Sequence, residues 1–536
     1  MRVGTGSDFR SARRASTFVG VTQGAVAAGH PLTAEAGAEV LRDGGNAVDA
    51  AVAAMLMSFV TESPLSGLGA GGFMLVHDPP ESILLDFFVE TPGRVVGQPS
   101  KDLVPVTITF EDTDQVFNVG AAACGVPGTP AGVVEAVDRF GSVTLERLAA
   151  PAIEAARDGV TVNEQQAYVL GLLESLHEHH DETRDLYTAD DGRALREGDV
   201  FRFPELADSL EQLAEVGAQP FYGGEIAARV SDWVLERGGT LAREDMAAYE
   251  VAARKPVRAA YRGREVMSNP APSSGGVLIA YGLELLDRLG SAGVGEVVGV
   301  MAEAQKVRTP AFEAELIEPG FMDRVLAPEE LDRVAETARE ASLGPGGTGL
   351  GDALGSTTHI TAMDGAGRCA SVTCSNGTGS GMLVPGTGVH VNNMLGEEDL
   401  NPLGFHFHPP GRRVTSMMAP TIVLEDGELV AALGSAGSNR IRSAVLQTIV
   451  RLVDDGMGAQ EAVDAPRLHF EEGVVHAEPG IDDGALSSLE SLGYPVTRWR
   501  RRNLYFGGCQ AVTRDPATGE LAGGGDPRRG GAVATA

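Results

Sequence analysis

Gly355-Ser356-Thr357-Thr358-His359-Ile360-Thr361 is the stretch that decides how this 536-residue chain is read. Upstream, Leu343-Gly344-Pro345-Gly346-Gly347-Thr348-Gly349-Leu350-Gly351 is a glycine-rich run unsuited to a packed element. Downstream, Thr358 to Met363 alternates in period two, and Asp364-Gly365-Ala366-Gly367 offers a turn. Arg368 to Ser375 reads as the returning strand. A linker therefore runs into the first residue of an expected β-hairpin. If the chain is cut between Ser356 and Thr357, Thr357 holds a hydroxyl nucleophile and an amine base in one residue. The plain alternative is one more β-branched residue in a strand.

Working outward, Val21 to Ala28 is an expected strand, followed by a helix after His30-Pro31. Asn46, with Asp49 three residues on, is the expected cap of a second helix. That helix, Ala47 to Val60, is apolar all round and therefore expected to be buried. The run Ser66-Gly67-Leu68-Gly69-Ala70-Gly71-Gly72-Phe73 precedes a strand and lacks the following helix and lysine of a phosphate loop. It is read as close backbone packing or a pocket wall. From Leu145 to about Glu340 the pattern is mainly helical. Thr421 to Leu424 and Glu428 to Leu433 form a second expected hairpin, which ends in the turn Gly434-Ser435-Ala436-Gly437-Ser438-Asn439-Arg440 before a helix. A glycine turn at a helix start presents free N–H groups suited to an oxyanion. Strands thus come from both ends of the chain, which predicts one layered unit with a mostly antiparallel sheet core.

Composition excludes several classes. The net charge of −32 argues against nucleic acid as a partner. No apolar run is long enough to span a membrane, and the first residues make a poor signal core, so a cytoplasmic location is expected. Cys124, Cys369, Cys374 and Cys509 have no metal-ligand spacing and are expected to be reduced. His177-Glu178-His179-His180-Asp181 is read as an exposed helix end rather than a metal site, because consecutive helical residues face different directions.

Several motifs in order resemble the gamma-glutamyltranspeptidase family of N-terminal-nucleophile hydrolases. They include Gly44-Gly45-Asn46-Ala47-Val48-Asp49, Val126-Pro127-Gly128, Pro272-Ser273-Ser274-Gly275-Gly276, Thr357-Thr358-His359, Asn392-Asn393, Thr415-Ser416-Met417-Met418-Ala419-Pro420 and Asp526-Pro527-Arg528-Arg529-Gly530-Gly531. The resemblance runs from about Gly24 to Ala532 and implies an α+β fold, a four-layer αββα sandwich. It implies a precursor that cleaves itself into a large chain, residues 1–356, and a small one, residues 357–536, which stay together as a heterodimer that is open to further pairing. It implies transfer or hydrolysis of a γ-glutamyl amide such as glutathione, with water or an amine as acceptor and no metal or organic cofactor.

Carried over to this sequence, the resemblance makes Thr357 the nucleophile and Ser375 the second hydroxyl beside it. It gives Gly437 and Ser438 the oxyanion N–H groups, and gives Thr415 and Ser416 contact with the substrate carboxylate. Asn376 matches a substrate-binding asparagine only loosely, and Glu397, Glu398 and Asp399 compete to bind the substrate amine. One departure bears on specificity. The family's Asp-Phe-Arg-Glu, whose arginine grips the glutamyl α-carboxylate, here reads Asp86-Phe87-Phe88-Val89-Glu90. Phenylalanine cannot supply a bidentate contact to a carboxylate. An amide acylase with a non-glutamyl acyl donor, and a non-catalytic homologue, therefore remain as alternatives.

Overall fold

The computed structural model describes residues 24–110, 113–341 and 357–536. Ser356, the glycine-rich run before it and residues 21–23 of the expected first strand lie outside the described residues.

Two antiparallel sheets form the centre. The first, of seven strands, runs Ala532–Thr535, Gly24–Ala28, Thr358–Asp364, Cys369–Ser375, Gly71–Asp78, Glu81–Phe87 and Ala252–Arg254. The second, of six, runs Leu521–Gly525, Gly508–Arg514, Glu428–Ala436, Thr421–Glu425, Arg264–Ser268 and Val257–Tyr261. Both sheets draw strands from either side of Thr357, so neither side of the chain builds its own core.

Strand alternation sets the layers. Ala25, Ala27, Phe73 and Leu75 of the first sheet pack into one core with Ile422, Leu433, Ala511 and Val266 of the second. The intervening residues Val26, Met74, Val76, Ile360 and Ala362 point the other way, onto helix Ala47–Thr61. Helices Ser274–Leu289 and Arg440–Val453 cover the outer face of the second sheet. The order is helix, sheet, sheet, helix, as the four-layer expectation requires.

Helix Ala47–Thr61 is buried along its whole length, so its ends must be satisfied internally. The expected cap is present: the Asn46 Oδ1 accepts from the N–H of Val48 at 2.8 Å, and Asp49 accepts from the Asn46 N–H at 2.9 Å. Asp364, in the turn of the Thr358 hairpin, accepts from the Ala47 N–H at 3.1 Å and ties that hairpin to the helix start.

Two expectations are corrected. The stretch read as mainly helical contains the strands Ala252–Arg254, Val257–Tyr261 and Arg264–Ser268, which extend both main sheets. Their signal was short: Val257, Ala259 and Tyr261 are buried while Arg258 and Ala260 face out. His177 is not part of an exposed helix end. It is buried against Tyr187, with ring centroids 4.3 Å apart, and desolvation pushes its pKa down to about 3. Among the described residues, no helix is long and apolar enough to cross a membrane.

Candidate active site

The site begins with hairpin register. Thr358 pairs with Cys374 and His359 with Thr373, so Thr357, one step before the ladder, faces Ser375, one step beyond it. The Thr357 hydroxyl donates to the Ser375 Oγ at 3.3 Å, and the Gly377 N–H donates to the same oxygen at 2.9 Å. Thr357 is 4% exposed.

A small cavity opens on one side of Thr357. Its walls include Phe88, Ser375, Glu397, Asp399, Ser416 and Ser438, together with Met394, Leu400 and Met417. Phe88 is fully buried and stacks on Phe73 at 5.2 Å, which seats its ring rigidly in the wall. Among the described residues, no arginine or lysine lines this cavity. Arg94 instead lies 3.6 Å from Asp245 and 3.9 Å from Glu90. Burial, and then the charge of Asp399, push the Glu397 carboxyl up to about 8; the Thr378 N–H, 3.2 Å from Glu397 Oε1, opposes the shift.

The glycine turn enters from the second sheet. Strand Glu428–Ala436 ends, Gly437 takes φ +120°, and Ser438 takes φ +48°, a left-handed conformation that costs a non-glycine residue energy. The Ser438 hydroxyl donates to Asp399, which fixes this turn to the loop carrying Glu397. Buried Arg308 reinforces the same junction. It donates to the Asp399 carbonyl at 2.6 Å, to Asn439 at 3.1 Å and to Glu313 at 2.8 Å.

On the other side of Thr357 lie Glu62 and Arg529. Glu62 caps the C-terminal end of helix Ala47–Thr61 and accepts from the Thr358 hydroxyl at 2.7 Å. Desolvation pushes it up to about 7, against the opposing effects of Thr358, Arg529 and Thr33. Arg529 points its Nη1 at the Thr357 carbonyl, 3.5 Å away. Burial, followed by the charge of Arg440, brings its pKa down to about 10.

His359, third in the Thr-Thr-His motif, faces the second sheet rather than the cavity. Its ring nitrogens meet Thr373 at 2.8 Å and Thr361 at 3.0 Å, and burial pushes its pKa down to about 3, so the ring is neutral. It is a polar strut between sheets. Among the described residues, no group of three or more His, Cys, Asp or Glu side chains is placed to hold a metal ion.

The family model described as Gamma-glutamyltranspeptidase matches residues 33–536. The chain belongs to the gamma-glutamyltranspeptidase family. Two of its relatives carry different kinds of name. The chain is 33% identical to "Acylase ACY 1 proenzyme" of Pseudomonas sp. (strain SE83), over 92% of this chain and 90% of that one. It is 31% identical to "Glutathione hydrolase proenzyme" of Escherichia coli (strain K12), over 94% and 90%. Among solved structures it resembles cephalosporin acylase from Bacillus halodurans, with a TM-score of 0.82, 26% identity and 99% of each chain covered. The chain is an enzyme of this gamma-glutamyltranspeptidase group.

The structure gathers Thr357, Ser375, Phe88, Glu397, Asp399, Ser416 and Ser438 around the small cavity. Three expected site residues do not themselves line it. Thr415 turns away and donates to Glu313 at 3.1 Å, beside Ser274. Asn376 is buried beside Gly67, and neither polar atom of its side chain has a hydrogen-bond partner among the described residues. Gly437 adjoins the lining residue Ser438, and an added Cβ there would lie 2.9 Å from the Gly507 Cα. Sequence reading missed Glu62, Arg308 and the position of Arg529. Arg529 stood inside a quoted motif, but its reach to Thr357 depends on the C-terminal segment folding back onto the hairpin.

Proposed function

We propose that this enzyme is a proenzyme that cuts itself before Thr357, and that the freed Thr357 carries acyl groups from amides to water or to an amine. In the first step, Thr357 Oγ1 attacks the Ser356 carbonyl carbon and the peptide C–N bond breaks as an ester forms. Water then hydrolyses the ester, which leaves the Ser356 carboxylate and a free Thr357 amine. In turnover, that amine takes the hydroxyl proton as Oγ1 attacks the substrate carbonyl, and it returns the proton to the departing amine. The Gly437–Ser438 turn supplies N–H groups for the developing oxyanion. The observation that carries this reading is the Thr357–Ser375 hydroxyl pair, buried at the mouth of a cavity with two carboxylates.

That cavity also supports a substrate class. Glu397 and Asp399 suit an amine on the acyl group, whereas Phe88 and the absence of a lining arginine leave a carboxylate without a partner. The acyl donor is therefore an amine-bearing acyl group that does not depend on its carboxylate. γ-Glutamyl amides, to which the name of the glutathione hydrolase relative points, belong to this class through their α-amine.

Two measurements test this. A denaturing gel with N-terminal sequencing should give a smaller band beginning Thr-Thr-His-Ile. Anilides of 4-aminobutyrate, γ-glutamate and glutarate should then be cleaved in that order of kcat/KM. A chain that stays whole would sink the nucleophile, and a preference for glutaryl would sink the substrate class.

A further inference from the structure

Thr357 is the one residue common to the walls of two cavities. The second is the larger of the two and takes no part in the steps described above. Its walls are mostly apolar, with Val60, Leu65, Val169, Leu173, Tyr187 and Phe201 prominent. Its charged groups are Glu62 and Arg529, and its histidines include His30, which burial brings down to about 4 and so leaves neutral.

A scissile amide has an acyl half and an amine half on opposite sides of the reacting carbon. With the acyl half against Glu397 and Asp399, the amine half extends toward the large cavity. We propose that this cavity is the subsite for the amine half, and that it selects an apolar amine bearing a carboxylate, with Arg529 as the carboxylate's partner. The inference rests on the reading of Thr357 as nucleophile.

Arg529 supplies the recognition chemistry. Its Nη1 reaches the Thr357 carbonyl at 3.5 Å, which places the guanidinium next to the reacting residue. Its Nε is buried with no hydrogen-bond partner among the described residues. The natural competitor, Glu62, is held by the hydroxyls of Thr358 at 2.7 Å and Thr33 at 3.5 Å. A guanidinium with an unused donor in an apolar enclosure can receive a carboxylate. The apolar walls favour an apolar remainder of the ligand, which displaces water from them.

The test is calorimetric titration of the processed full-length protein with 4′-aminobiphenyl-4-carboxylate and with 4-aminobiphenyl. The acid should bind at least tenfold more tightly. Arg529→Met should abolish that difference and leave the neutral amine unchanged, and Arg529→Lys should restore part of it. Equal affinity for the two amines, or an Arg529→Met variant that still prefers the acid, would overturn the proposal. Should Arg529→Met fail to fold, Val169→Trp takes its place by filling the cavity. It must weaken both amines at least tenfold, and unchanged binding overturns the proposal. If Val169→Trp instead slows only long-chain acyl anilides, the cavity holds the acyl half and the proposal is overturned. Binding requires no turnover, so the two readings fail separately. A protein that binds the acid through Arg529 but cleaves no amide retains the subsite and loses the nucleophile.

Discussion

The Thr357 hydroxyl donates to the Ser375 Oγ at 3.3 Å because the hairpin register brings the two residues face to face. On the proposed reading, Ser375 orients the Thr357 oxygen without reacting itself. Ser375→Ala should therefore slow both self-cleavage and turnover by about three- to tenfold, the worth of one neutral hydrogen bond. Ser375→Thr should restore most of the rate, and Thr357→Ala should give one uncut chain. A time course on denaturing gels, followed by steady-state kinetics on the processed fraction, separates these effects. Wild-type rates in Ser375→Ala would remove Ser375 from the mechanism.

On the proposed reading, Phe88 sets acyl specificity from the cavity wall. Phe88→Arg places a guanidinium where a substrate carboxylate lacks a partner. The kcat/KM for γ-glutamyl anilide relative to 4-aminobutyryl anilide should rise at least tenfold. The same change removes a fully buried ring stacked on Phe73, so the melting temperature should fall by several degrees. An unchanged ratio in a folded variant would separate Phe88 from specificity.

Gly434 faces His359 across the gap between the sheets. A Cβ at Gly434 would lie 2.2 Å from the His359 ring, which Thr373 and Thr361 hold in place. Gly434→Ala should cost about 1–3 kcal/mol, the usual range for overpacking. Thermal unfolding measures it, and a neutral result would mean that the ring moves freely.

What the sequence made legible was local. The hairpin is an alternating run around a glycine turn, whereas the place of Ser375 beside Thr357 came from the family resemblance and is explained by the register of the folded hairpin. The Asn46–Asp49 cap is likewise a pattern of near neighbours. Thr415 was misplaced for the opposite reason. Its orientation is decided by Glu313, 102 residues away, which no local spacing encodes. Arg308 and Glu62 sit in or beside ordinary helical stretches, and only tertiary packing turns them toward Asp399 and Thr358. The three strands after Val251 were lost because each is only three to five residues long, so their period-two signal is brief.

If Glu397 binds the substrate amine as proposed, that recognition depends on pH. With its pKa raised to about 8 by burial and Asp399, it is mostly neutral at pH 7 and ionises above pH 8. Asp399 and Arg440 are the other charged groups acting on it, and neither reverses that sign. The KM for 4-aminobutyryl anilide, whose alkylamine stays protonated, should therefore fall as pH rises from 7 to 9. In Glu397→Gln the profile should be flat across that window. A wild-type KM that rises would place the amine away from Glu397.

Glu62 couples stability to pH with a sign that can be worked out. Burial raises its pKa from 4.5 to about 7. A carboxyl raised on folding contributes stability that is full below pH 4.5 and is lost as pH rises through 7. At pH 8 the folded protein holds an ionised, buried Glu62 at a cost of roughly 3 kcal/mol relative to a neutral side chain. Glu62→Gln retains the shape and an acceptor for the Thr358 hydroxyl while removing the titration. In the uncut Thr357→Ala background, where a single chain unfolds, Glu62→Gln should match its parent near pH 4. It should be more stable by up to that amount at pH 8. Urea unfolding at the two pH values decides it. A parent that is the more stable form at pH 8 would mean that Glu62 is held as a carboxylate by Arg529, and the guanidinium would then not be available to a ligand in the large cavity.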